Sequence, residues 1–189
     1  MSIFKRFLQI SIASVALSTQ LAVAQDFNWA PDFPLGSTIP VLEAPDQNGN
    51  DQTLATLTGE KGIILMFSRS FDWWPFCKAQ LANIVAVQQQ IENTGFNMVA
   101  MTYDSVETLK IAEEDYGVGF IMLHDEAIKH IDAFGIRNPD PDPDHFAYGI
   151  PKPGIMLVSP DGIILRKFAE EDFRERPDIT FVIEAASEL

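Results

Sequence analysis

Five apolar residues in a row, Ile63-Ile64-Leu65-Met66-Phe67, lead through Ser68-Arg69-Ser70-Phe71-Asp72-Trp73-Trp74 into Pro75. Such a run is of strand length and suits a central strand covered on both faces. Pro75 opens a helix, since proline is favoured in the first helical position. Cys77, Leu81, Ile84, Val85, Gln88 and Ile91 then recur at helical spacing, and Gly95 closes the element. A second apolar strand follows from Phe96 to Met101. Strand, helix, strand in this order predicts a right-handed parallel crossover, which commits the chain to an α/β architecture.

The remaining elements extend that sheet. Residues 26–60 read as an N-terminal arm and a hairpin turning at Asp46-Gln47-Asn48-Gly49-Asn50. Ser105 to Tyr116 is a helix with Ser105 as its cap, and a short strand lies near Phe120-Ile121-Met122-Leu123. Glu126 to Phe134 is a third helix, closed by Gly135. Residues 155–168 form a hairpin about Ser159-Pro160-Asp161-Gly162. A last helix runs from about Asp178 to Glu188. A parallel crossover with a terminal antiparallel hairpin gives a central mixed β-sheet with helices on both faces. No repeat and no second domain are visible.

The first residues carry an export signature. Lys5 and Arg6 precede a mainly apolar stretch from Phe7 to Ala22, and Ala22-Val23-Ala24 fits the small-x-small cleavage rule. The expected organisation is a signal peptide over 1–24 and a single domain over 25–189, released to the periplasm or secreted. The apolar stretch is too interrupted for a spanning helix, so no stable membrane insertion is expected after cleavage. All 27 acidic residues follow residue 24, against 11 basic ones once Lys5 and Arg6 are set aside. A formal charge near −16 repels nucleic acid and anionic lipid, which argues against both as partners.

Export to an oxidising compartment makes the single cysteine informative, because Cys77 has no internal partner. A Cys-Pro-Phe-Cys in place of Trp74-Pro75-Phe76-Cys77 would be a dithiol redox centre. Cys77 has two readings. It is a one-thiol centre in the first turn of a helix, or an inert core residue. Its place on the Leu81/Val85 stripe predicts a buried sulfur behind Trp74 and slow native alkylation. Trp73 and Trp74 are either an exposed aromatic platform for a ligand or partner, or packing, one ring beneath the N-terminal arm and the other in the dithiol's place. His124, His130 and His145 do not share ligand spacing, so no metal site is expected. The alternating Pro-Asp run from Asn138 to His145 reads as a solvated loop. Ser68 and Ser70 flank Arg69 and are able to hydrogen-bond a small ligand, with nothing to activate them.

The motifs together resemble the alkyl hydroperoxide reductase/thiol-specific antioxidant (redoxin, peroxiredoxin-like) branch of the thioredoxin fold over roughly residues 35–180. The resemblance rests on Ile64-Leu65-Met66-Phe67-Ser68-Arg69-Ser70, on Asp72-Trp73-Trp74-Pro75-Phe76-Cys77-Lys78-Ala79-Gln80-Leu81, and on Thr102-Tyr103-Asp104-Ser105. Ala133-Phe134-Gly135-Ile136-Arg137-Asn138 and Gly149-Ile150-Pro151-Lys152-Pro153-Gly154 add to it. It implies a thioredoxin-like fold and a thiol-dependent antioxidant, peroxidase or disulfide-exchange oxidoreductase without a cofactor. It places Trp74 at the family's first, attacking cysteine and makes Cys77 the resolving-type thiol. Pro153 becomes the cis-proline facing the dithiol, with Pro151 as the alternative. An external thiol or thioredoxin-type reductant, or a protein partner, would then be needed. With Trp74 at the attacking position, low turnover is expected. The alternative is a catalytically degenerate binding or interaction module that keeps the fold.

Overall fold

The computed structural model describes residues 28–189. The signal-peptide expectation over 1–24 lies outside them. In chain order the elements are β1 (Glu43–Pro45), β2 (Asp51–Thr53), α1 (Leu54–Leu57), β3 (Gly62–Phe67), α2 (Pro75–Ala86) and α3 (Gln88–Glu92). They continue with β4 (Phe96–Thr102), α4 (Val106–Tyr116), β5 (Ile121–His124), α5 (Lys129–Ala133), β6 (Gly154–Val158), β7 (Ile164–Phe168) and α6 (Ile179–Ser187). The main sheet has the order β5-β4-β3-β6-β7. β3 pairs parallel with β4 and β4 with β5, whereas β6 runs antiparallel to both β3 and β7. This is the expected mixed sheet. β1 and β2 form a separate antiparallel hairpin whose turn uses Gly49 at φ +78°.

Every residue of β3 is buried, as a strand covered on both faces requires. Because successive side chains alternate, Ile63, Leu65 and Phe67 enter one core with Trp29, Ile131 and Phe134. Ile64 and Met66 enter a second core with Cys77, Leu81, Ile84, Leu109 and Val182. The N-terminal arm and α5 cover the first face; α2, α4 and α6 cover the second. Among the described residues no helix is long and apolar enough to cross a membrane.

Two helices differ from expectation. The element begun at Pro75 breaks at Val87 (φ −120°, ψ 10°) and resumes as α3, still burying Ile91. The helix expected over 126–134 is a 3-10 turn at Glu126–Ile128 followed by α5, with Ala127 and Ile128 both at positive φ. The cause is Asp125. Its carboxylate accepts N–H groups of His130 (2.8 Å) and Ile131 (2.9 Å), so it starts a fresh helix after the turn. Ser105 caps α4 by accepting from Thr108 N–H, and Asp178 caps α6 through Thr180 N–H.

Candidate functional site

The site lies where β3 ends and α2 begins. Residues 68–74 must leave a fully buried strand and enter a helix, so their polar atoms need buried partners. Asp104, just after β4, supplies several. Its carboxylate accepts from Ser70 Oγ (2.7 Å) and from Phe71 N–H (2.7 Å). Ser70 Oγ in turn accepts from Asp72 N–H (3.1 Å). Burial pushes the Asp104 carboxyl above its ordinary value, against hydrogen bonds from Ser70, Phe71 and Thr102. Burial likewise pushes Tyr103 up to about 12; its hydroxyl accepts from Trp73 Nε1 (3.1 Å). Trp74 is the N-cap residue of α2 and makes no side-chain cap, leaving Pro75 to set the first turn.

Cys77 sits in that first turn and is 0 % exposed. Its sulfur meets polar donors as well as the apolar core. The sulfur accepts from the main-chain N–H of Arg69 (3.4 Å) and from Nη2 of Arg176 (3.2 Å). Arg176 comes from the irregular segment between β7 and α6, and is held by Gln80 Oε1 (3.1 Å) and the carbonyls of Phe173 and Glu175 (2.6 Å each). The Arg69 side chain is 3 % exposed. Its Nε donates to the carbonyl of Pro151 (3.3 Å), and its guanidinium lies against the rings of Phe173 (4.4 Å) and Trp74 (4.9 Å). Burial and the neighbouring Arg176 charge push Arg69 down to about 10.

The proline expectation needs correction. No peptide bond among the described residues is cis, so both Pro153 and Pro151 are trans. The Lys152 main chain is held on both sides. Its N–H donates to Ile136 O (2.7 Å) and its carbonyl accepts from Trp29 Nε1 (2.9 Å), so Pro153 runs straight into β6. The contact with the site comes from the Pro151 carbonyl through Arg69. The ring that packs between the N-terminal arm and the sheet is the arm's own Trp29, against Phe67, and not Trp73 or Trp74. Trp73 stacks edge-on against Trp74 (5.2 Å) and Phe146 (5.0 Å), and Trp74 against Phe173 (5.9 Å).

The histidines stay apart. His124 Nδ1 bonds the Asp104 carbonyl, His130 pairs with Asp125, and His145 accepts from Ala147 N–H. Among the described residues no cluster of His, Cys, Asp and Glu has the arrangement of a metal site.

Residues 35–167 match the family model of the AhpC/TSA family. The chain belongs to the AhpC/TSA family. Among curated proteins it is similar to the 1-Cys peroxiredoxin PER1 of Zea mays, at 24% identity over 73% of this chain and 66% of that one. The chain thus spans just under two thirds of that relative's length. Among solved structures it is similar to the peroxidoxin BcpB from Mycobacterium tuberculosis, at TM-score 0.69 and 17% identity, over 83% of this chain and 98% of that one. A yeast mitochondrial 1-Cys peroxiredoxin, described by its thiol resolving mechanism through glutathione/thioredoxin systems, matches at TM-score 0.65 and 13% identity, over 80% of this chain and 73% of that one. These structures share the thioredoxin fold with it.

In this AhpC/TSA protein the expected and the unexpected residues meet. Trp74 and Cys77 stand at the helix N-terminus as the sequence places them. Arg69, Arg176 and Asp104 complete the site. Arg69 carries a signal, since a basic residue in Ser68-Arg69-Ser70 directly after a fully buried strand has little water to reach. Arg176 carries none, because it reaches Cys77 only through the fold. The arrangement holds one sulfur against two N–H donors at a helix start and covers it with the Phe173–Arg176 segment.

Proposed function

We propose that this AhpC/TSA protein is an exported, thiol-dependent oxidoreductase of the one-cysteine kind, with Trp74 at the position where dithiol members hold their first cysteine. Cys77 carries the chemistry. The observation behind this reading is the pair of N–H donors, from Arg69 and Arg176, that meets the Cys77 sulfur in the first turn of α2. Donors and a helix N-terminus stabilise charge that develops on sulfur. The Cys77 thiolate attacks one oxygen of a hydroperoxide. The O–O bond breaks, sulfur becomes a sulfenic acid, and the other oxygen leaves with a proton as alcohol or water. The chain has no second thiol. An external thiol therefore condenses with the sulfenic acid, releasing water, and a second external thiol frees Cys77 from the mixed disulfide. The cover over Cys77 must open first, so turnover is slow.

The full burial of Cys77 favours a second reading, in which the protein is a binding module that keeps the fold without the reaction. Mass spectrometry after treatment of the folded protein with hydroperoxide separates the two. The first reading expects oxidation at Cys77, and peroxide consumption with an added dithiol that Cys77→Ala abolishes. A thiol that stays reduced, and alkylates only on unfolding, establishes the binding module instead. Export is tested by N-terminal sequencing of the extracytoplasmic protein, which should begin at Gln25; a chain beginning at Met1 would exclude cleavage.

A further inference from the structure

Arg69 is a buried guanidinium without an ion-pair partner among the described residues. The chain carries 27 acidic residues, and the other described ion pairs use them freely: Lys110 with Glu113, Arg137 with Asp132, Arg174 with Asp172. Arg69 has no such partner among the described residues although it is 3 % exposed. Only its Nε is hydrogen-bonded, to the Pro151 carbonyl. The two terminal nitrogens, which carry the planar fork that matches a carboxylate, have no acceptor among the described residues. A second cation, Arg176, bears on Arg69 more strongly than the Asp140 carboxylate does; it meets the Cys77 sulfur, to which Arg69 gives only its main-chain N–H, and the Phe173 carbonyl.

A buried orphan donor lies beside this guanidinium. Trp74 Nε1 is buried without a hydrogen-bond partner, and the Trp74 ring stands 4.9 Å from the Arg69 guanidinium carbon. Buried N–H groups are almost always paired, because an unpaired one forfeits its hydration for nothing. One buried orphan donor beside a guanidinium with free N–H groups is a donor set open to an acceptor. Burial and the Arg176 charge lower the Arg69 proton affinity, with Asp140 opposing them; a further anion at the guanidinium would act in the same sense as Asp140.

We propose that Arg69 and Trp74 form a receptor for a small carboxylate, bound by the free edge of the guanidinium and by the indole N–H. The way in is through Phe173. Its ring covers Arg69 yet is 41 % exposed, and it belongs to a segment between β7 and α6 with no strand or helix pairing of its own. Trp74 then has a role that a cysteine there could not fill, since indole donates a directed hydrogen bond while its face packs on the cation. The site does not depend on Cys77 being reactive, and its test uses neither peroxide nor thiol substrate.

The probe is acetate, with acetamide as its neutral isostere and chloride as a control at matched ionic strength. Tryptophan fluorescence and the thermal midpoint of the cleaved protein are followed at neutral pH. Acetate should bind saturably and raise the midpoint in step with occupancy, while acetamide and chloride should not. Trp74→Phe keeps the aromatic wall and removes only the N–H, and should weaken acetate at least about tenfold. Arg69→Met should abolish saturable binding. If Arg69→Met does not fold, Trp74→Phe decides alone. An acetate response equal to that of chloride, or unchanged acetate affinity in Trp74→Phe, overturns the proposal.

Discussion

Two buried polar clusters flank the same sheet and are built on opposite terms. Beside α5, Asp125 accepts from two main-chain N–H groups and from the His130 ring (2.8 Å), and His130 Nε2 accepts from Glu43 N–H (3.3 Å). Each polar atom has its partner within the fold. Beside α2, the Arg69 guanidinium keeps free N–H groups, Trp74 Nε1 and Ser68 Oγ have no partner, and one cation, Arg176, meets the Cys77 sulfur together with the Arg69 main-chain N–H. The first cluster spends its polarity on holding Ala127 and Ile128 at positive φ. The second leaves polarity unspent. In a fold whose buried polar groups are otherwise paired, these unspent donors are what the proposed carboxylate would satisfy.

The largest expected effect breaks the satisfied cluster. Asp125→Ala leaves three buried donors without acceptors, and should cost about 3–5 kcal/mol, the range for removing one member of a buried pair. Chemical denaturation measures it. Loss of under about 1 kcal/mol would mean that the cluster beside α5 contributes little, and the contrast between the two sites would fail.

An intermediate effect separates two carboxylates by their response to acid. Asp104→Ala strands Ser70 Oγ–H and Phe71 N–H, and Asp46→Ala strands the donors of Asn48, Asn50 and Gln52. Each should cost about 1–3 kcal/mol at neutral pH. Burial raises the Asp104 carboxyl, so the folded protein binds its proton before the unfolded chain does. Its contribution is fullest below the ordinary carboxylate range and is lost as pH rises. For Asp46 burial also pushes upward, but the hydrogen bonds from Asn50, Gln52 and Asn48 outweigh it and the carboxyl is lowered. Its contribution is present above the ordinary range and is lost as pH falls. The Asp104→Ala penalty should therefore widen toward acid while the Asp46→Ala penalty narrows. Parallel pH profiles for the two variants would refute the assignment.

The sequence reveals the scaffold more completely than the site. The buried run Ile63–Phe67, Pro75 at the helix start and the Ser159–Gly162 turn are local signals, and the sheet follows them. The break at Asp125–Ile128 escapes such reading because the carboxylate that causes it bonds forward to His130 and Ile131, overriding a favourable apolar spacing. The trans state of Pro153 escapes it too, since Trp29 and Ile136 hold Lys152 from distant parts of the chain. Trp74 and Cys77 are visible as an anomaly in a motif. What surrounds the sulfur is not, because Arg176 is separated from Cys77 by nearly the whole α/β unit.

The smallest change in stability should come with a clear change in access. Phe173 is partly exposed and covers Arg69, while the carbonyl of the same residue holds Arg176 on the Cys77 sulfur. Phe173→Ala keeps that carbonyl but removes the ring, so the segment loses its packing on Arg69 and Trp74 while the cores on both faces of the sheet stay intact. The thermal midpoint should shift by only a few degrees, corresponding to about 1 kcal/mol or less. Alkylation of native Cys77 should nevertheless quicken several-fold, because exchange at a buried thiol tracks the local opening that uncovers it rather than global unfolding. The paired variant Phe134→Ala removes a fully buried ring from the opposite core. It should cost about 3–5 kcal/mol and speed alkylation only in proportion to global unfolding. If Phe173→Ala leaves the native alkylation rate unchanged, the segment between β7 and α6 is not the cover, and the path to Cys77 must run past Trp74 instead.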